Sequence, residues 1–225
     1  MGIRKWHAGS KLGGDIGMAN NVKSVICMNG ISTIPYFSID KEKNIYLDFN
    51  KIIPMPADLY ITDGSIVSEA LIYYLTDRCT KRYSDLNCKV SYILKPYIEP
   101  PYMGPEWKYE LYARAFKDGE DDNLYMRGAQ YYHNICHYGY PTWYGWRIEH
   151  WGTKWNSYDN KIISRNKVII HTANASPIPI IKYLSTLYPE KEITVDYHCP
   201  EAGMSSGYMK IINGLLIEEI CEEDM

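Results

Sequence analysis

Between Lys167 and Ile220 the hydrophobic period of the chain changes from strand to helix and back to strand, and that succession leaves few folds open. Lys167-Val-Ile-Ile-His-Thr-Ala173 is a short apolar run of strand length. Ser176 and Pro177 then supply an N-cap and a first-position proline. Ile178, Ile181, Leu184, Ser185 and Tyr188 recur at helical spacing until Pro189 closes the segment. Glu192 to His198 alternates with the period of a half-buried strand, Gly203 to Gly207 reads as a turn, and Tyr208 to Ile212 alternates again. Asn213-Gly214 is a two-residue hairpin signal, because both positions of such a turn need positive φ. Leu215 to Ile220 is expected to pair back.

Upstream segments supply the partners. Val22 to Met28 alternates as a strand and Asn29-Gly30 ends it. Asp48 to Pro56 carries Pro54 and Pro56, which exclude a helix interior, so an extended loop is expected, with Phe49, Ile52, Ile53 and Met55 packed on the core. Helical spacing recurs from Ser65 to Cys79, with Ser65 as N-cap, and from Asn123 to His137, which Gly139 stops. The order predicts an α+β, ferredoxin-like fold: one antiparallel sheet of four or five strands with helices packed on one face. Residues 80–122, broken by Pro96, Pro100, Pro101 and Pro105, are expected to be an inserted subdomain holding a short helix near Trp107–Phe116. Residues 1–17 read as an N-terminal extension or tag, and 18–225 as a single domain.

Four of the six tryptophans lie between Trp143 and Trp155. Indole is bulky and loses little conformational entropy when fixed, so this density marks either the pivot of a core or the anchor of an interface. In the first reading Trp151 and Trp155 plug the space between helix and sheet, Gly152 permits a sharp turn, and Lys154 lies along the surface. In the second, Trp143, Trp146, Arg147, Trp151, Lys154 and Trp155 form a pocket or platform for a partner or ligand, with His150 beside them. Indole rings more than about a third exposed beside Arg147 and Lys154 are what the second requires. The 22 tyrosines beside 3 phenylalanines fit either a hydroxyl-bearing core or an interface.

Catalytic and metal signatures do not stand out. His133-Asn-Ile-Cys-His137 has the i, i+4 spacing that can hold a transition metal, but no further ligands are spaced to complete it and no glutamate stands beside the first histidine as in a metalloprotease. Asp118, Glu120, Asp121 and Asp122 lack the alternation of a calcium loop. A phosphate loop ending Gly-Lys-Ser/Thr is absent. No metal or cofactor is expected. No apolar run approaches the length of a membrane span, no secretory leader is evident, and six scattered cysteines read as reduced thiols, so the expected location is the cytoplasm. With a formal net charge of −3 and Glu218, Glu219, Glu222, Glu223 and Asp224 crowding the C-terminus, direct nucleic-acid binding is not expected.

The words Phe49-Asn-Lys-Ile-Ile-Pro-Met-Pro56, Tyr138-Gly-Tyr-Pro-Thr-Trp-Tyr-Gly-Trp146, Trp151-Gly-Thr-Lys-Trp155, Ser176-Pro-Ile-Pro179 and Glu201-Ala-Gly203 together resemble the Api92-like family, a domain of unknown function with a ferredoxin-like C-terminal part. The resemblance runs from about Met18 to Ile220. It implies a phage or plasmid origin and the fold above, and it carries no catalytic residues. The functional expectation is a non-enzymatic accessory protein, of the anti-defence kind, that occupies a host protein or nucleoprotein complex. Two alternatives stay open: a nucleotide- or signalling-ligand-binding domain or enzyme with a pocket at the tryptophans, and a single-strand binder that stacks bases on Tyr197 and Tyr208.

Overall fold

The computed structural model describes residues 20–75, 88–98, 122–199 and 206–222. The expectations for residues 1–17, for a helix near 107–116, and for Cys79, Glu201-Ala-Gly203 and the 203–205 part of the turn lie outside them. The chain divides into two compact units, Met1–Pro54 with Arg147–Met225, and Met55–Trp146. The sequence placed the interruption at 80–122; the second unit is wider because two helices read as parts of the main domain pack on each other within it.

The first unit is built on a six-stranded antiparallel sheet in the order β4-β5-β1-β6-β7-β8, from β1 (Asn21–Met28), β4 (Tyr158–Ser164), β5 (Lys167–Ala173), β6 (Glu192–His198), β7 (Ser206–Ile212) and β8 (Leu215–Glu222). The α+β class stands, with more strands than the four or five expected. β5 and β6 flank β1, which runs antiparallel to both, and the crossover from β5 to β6 passes through a helix, Ile178–Leu187. This is a split β-α-β unit. β1 and β4 are both antiparallel to β5 and so parallel to each other, and the chain that joins them carries, within this unit, the helical turn Phe49–Ile52 and the helical residues Arg147–Trp151.

Alternation explains which face is covered. Val22, Ile26 and Met28 on β1, Val168 and Ile170 on β5, Ile193 and Val195 on β6, and Met209 and Ile211 on β7 are all buried on one side, with Ile180, Ile181 and Leu184 of the crossover helix buried as well. Each such side chain stabilises by about 1.5–3 kcal/mol relative to exposure. Ser24, at 0% exposure in the same row, is satisfied by the Ser176 hydroxyl at 3.1 Å. That contact corrects one expectation. Ser176 does not cap the crossover helix, whose cap position is Pro177 without a side-chain hydrogen bond.

Besides short 3-10 turns, four elements were not foreseen, one of them the helix Cys88–Ile98 of the other unit, which runs through Pro96 where a break was expected. The proline-flanked loop at Asp48 contains one helical turn, α1 (Phe49–Ile52), because the Asp48 carboxylate accepts from the Asn50 amide before Pro54 can interrupt the turn. Phe49, Ile52 and Met55 are buried there as expected. A small hairpin, β2 (Phe37–Ile39) with β3 (Ile45–Leu47), closes around Asp40, whose Oδ1 accepts from the Glu42 and Asn44 amides. The last of the four is β4, whose pairing with β5 shifts register between Tyr158 and Lys161 and again between Ile162 and Ser164. The Asn213-Gly214 turn has φ of 48° and 75°, as its hairpin requires.

The second unit is helical: α2 (Ile66–Tyr73), α3 (Cys88–Ile98), α4 (Asp122–Tyr138), and the start of α5 (Trp143–Trp151). The crossover helix of the first unit is then α6 (Ile178–Leu187). Val67, Leu71, Leu94, Leu124, Tyr131 and Ile135 belong to one buried cluster. Gly128 is what lets α4 close on α2: a Cβ there would collide with the Ala70 carbonyl. Asn134, fully buried, donates to the carbonyls of Asp58 at 3.0 Å and Pro141 at 2.9 Å and so fixes the turn leaving α4. Ser65 makes no side-chain cap on α2, whereas Gly139 ends α4 at φ 82° with its amide on the Ile135 carbonyl. No described helix is long and apolar enough to cross a membrane.

Candidate functional site

The boundary between the units falls inside α5, after Trp146. Trp143 and Trp146 belong to the second unit, and Arg147, Trp151, Lys154 and Trp155 to the first. Trp146 is 6% exposed. Trp143 is half-buried, with its ring edge-on to Tyr144 at 5.7 Å.

Within the first unit the two readings of the tryptophans divide by residue. Trp151 is 1% exposed, donates its indole N–H to the Ile53 carbonyl at 2.9 Å and meets Phe49 edge to face at 6.0 Å. The Arg147 guanidinium lies 4.7 Å from its ring centroid and reaches the Lys154 carbonyl at 3.4 Å. Gly152, at φ 78°, ends the helix with its amide on the Ile148 carbonyl, and Thr153 donates to the Ala173 carbonyl at 2.8 Å. Trp151 is therefore the core plug. Trp155 behaves differently: it is 39% exposed and carries the Lys154 ammonium 4.5 Å above its ring. The sequence could not separate these two rings, because both sit in the same word.

The other sequence candidates are placed as follows. The His133 and His137 rings stack at 3.9 Å, and His137 Nδ1 lies 2.9 Å from the His133 carbonyl. Among the described residues no group of three or more His, Cys, Asp or Glu side chains converges as a metal site would require. A shallow depression of about 470 Å³ lies at one end of the sheet, lined by Cys27, Asn29, Asn166, Lys191, Glu192 and Thr194 rather than by tryptophans. Tyr197 and Tyr208 do not make a joint stacking surface. Tyr208 pairs with Asp196, whereas Tyr197, one residue on, pairs with Ser24 of the covered face, and so the two rings belong to opposite faces. Tyr197 spans Gly207, whose absent side chain gives it room, and brings its hydroxyl 3.8 Å from Cys221 Sγ.

The surface that sequence reasoning missed is β8. Among the described residues it is last in the strand order, with one backbone edge facing away from the sheet. Leu215 is 65% exposed, Ile217 55% and Ile220 53%, with Glu218 and Glu219 between them. Scattered exposed apolar residues are ordinary; three that are each more than half exposed within one edge strand are not. Behind it, Lys210 on β7 stands opposite Glu218 and bridges to Glu192 at 2.7 Å, and the Glu192 hydrogen bond raises the lysine pKa. The Asn213-Gly214 turn marks Leu215 onward as a strand, but whether that strand has a second neighbour depends on the order of the whole sheet.

No family model matches the chain. No curated protein matches it either. The structure is similar to the crystal structure of a protein api92 from Yersinia pseudotuberculosis, assigned to the family DUF1281, with 10% identity and a TM-score of 0.38 over 92% of this chain and 99% of that one. Its family is the one the sequence words resemble. At this TM-score the likeness is distant and carries no argument about function.

Proposed function

We propose that this protein is a non-enzymatic binding protein whose partner docks on the β8 edge. The observation that carries the reading is the row Leu215, Ile217 and Ile220, each more than half exposed, interleaved with Glu218 and Glu219. Apolar area of this kind supplies affinity when covered, while flanking acids select a basic partner and speed encounter. The partner class is a host protein or nucleoprotein complex in the cytoplasm, and the role is that of a phage or plasmid accessory protein with an anti-defence action. The acidic edge is what supports a basic partner; the mobile-element role rests on the sequence resemblance alone.

The test is photo-crosslinking in a host cell from a benzophenone amino acid placed at Ile217 of the full chain, with a second probe at Lys161 on the far edge as control. The expected result is one protein crosslinked from 217 and absent from 161, lost when Glu218→Lys and Glu219→Lys are introduced. Crosslinks that are equal from both positions, or indifferent to the charge reversal, would overturn the reading.

A further inference from the structure

We infer that the partner enters as an extended segment that adds a seventh strand to β8, and that its matching sequence is apolar-basic-basic-apolar. This rests on the preceding reading and specifies the form the partner takes.

Four observations converge on it. β8 ends the strand order, and every neighbouring pair in this sheet is antiparallel, so the ladder continues most simply by one more antiparallel strand. The pairing of β7 with β8 steps from Lys210–Glu218 to Ile211–Leu216, which leaves Ile217 without an opposite residue on β7 and 55% exposed. Neighbouring side chains alternate between faces, so Glu218, already opposite Lys210, and Glu219, opposite Met209, offer one carboxylate on each side of the sheet. The central tetrad Ile217-Glu218-Glu219-Ile220 is palindromic in character, so its complement has the same pattern with the charges reversed.

The same tetrad argues against a second copy of this chain as the occupant. The antiparallel register that sets Ile217 opposite Ile220 also sets Glu218 opposite Glu219, and like charges directly opposite are destabilising. A Lys or Arg pair in those places makes the cross-strand contacts favourable on both faces.

The probe is a ten-residue peptide centred on Ile-Lys-Lys-Ile, with an Ile-Glu-Glu-Ile peptide as control, titrated into the full chain by fluorescence anisotropy at low salt. The lysine peptide is expected to bind and the glutamate peptide not. The preference reverses for the Glu218→Lys, Glu219→Lys double variant, a readout that needs a folded chain and so excludes simple unfolding. Two further lysine peptides carry N-methyl groups on alternate residues, in opposite phase. One phase removes the amides of the ladder and abolishes binding; the other leaves it intact. Equal binding of both methylated peptides overturns strand addition. Loss of peptide binding together with a persistent, charge-sensitive crosslink at Ile217 also overturns it while leaving the docking surface in place. Failure of the crosslink as well removes both.

Discussion

Trp151 and Ile53 are 98 positions apart, and the indole N–H of the first donates to the main-chain carbonyl of the second at 2.9 Å. The bond ties the end of α5 to the turn after α1 and places a large ring against Phe49 inside the first unit. A tryptophan with this much buried and one polar atom satisfied is structural, whatever its neighbours do.

Trp151→Phe keeps most of the ring but leaves the Ile53 carbonyl without its donor, a loss expected at about 1–3 kcal/mol. Trp151→Ala opens a cavity as well and is expected to cost about 3–5 kcal/mol. Urea denaturation followed by circular dichroism measures both. The proposal of a core role fails if Trp155→Ala, at the exposed ring, proves as costly as Trp151→Ala.

Gly128→Ala inverts the usual rule for helices. In an open helix the change gains about 1 kcal/mol from propensity. On α4 the new methyl meets the Ala70 backbone, so the helices must separate. Overpacking of this kind costs about 1–3 kcal/mol, and the melting temperature is expected to fall rather than rise.

Asn134→Leu is nearly isosteric yet strands the carbonyls of Asp58 and Pro141. The expected cost is about 2–4 kcal/mol. Hydrogen exchange of the amides between 139 and 146 should quicken in the same variant, because that turn loses its tether.

Tyr131 predicts the alkaline limit. Burial pushes its phenol from 10.0 up to about 12, opposed by the Arg127 charge and aided to a smaller extent by Asp63. Between those values the folded chain keeps a proton that the unfolded chain has released, so stability falls as pH rises through that window. Tyr131→Phe is expected to shallow this decline, measured as urea midpoints across the window, although it also removes the bond to the Thr62 carbonyl. An unchanged slope would show that other groups set the alkaline limit.

The sheet was legible wherever one face had to be apolar. β5, β6 and β7 alternate because their odd and even residues meet different surroundings, and the β7–β8 hairpin carries its turn chemistry in two residues. β4 was not legible, because all but its first and third residues are exposed and the burial contrast that writes a pattern is missing. α1 was hidden by Pro54 and Pro56, which forbid a long helix but not a single turn begun by Asp48. For the tryptophans, density left two readings open, core plug and exposed platform, and the structure divides them by residue. Whether Trp151 or Trp155 is covered depends on Ile53 and Phe49, far away in the chain. β8 escaped notice because an edge is a property of strand order, which one segment cannot encode.

The two flanks of the sheet are unequal. β4 loses register with its neighbour twice, against one shift between β7 and β8, and only three of its seven residues pair with β5 at all beyond Tyr158, so its outer side is the poorer template. Growth by recruitment therefore has an entrance and no exit: a guest can join at β8, but a chain of copies linked flank to flank would need β4 to serve as host. Strand addition at β8, as proposed, would therefore end with one guest and not seed a fibre.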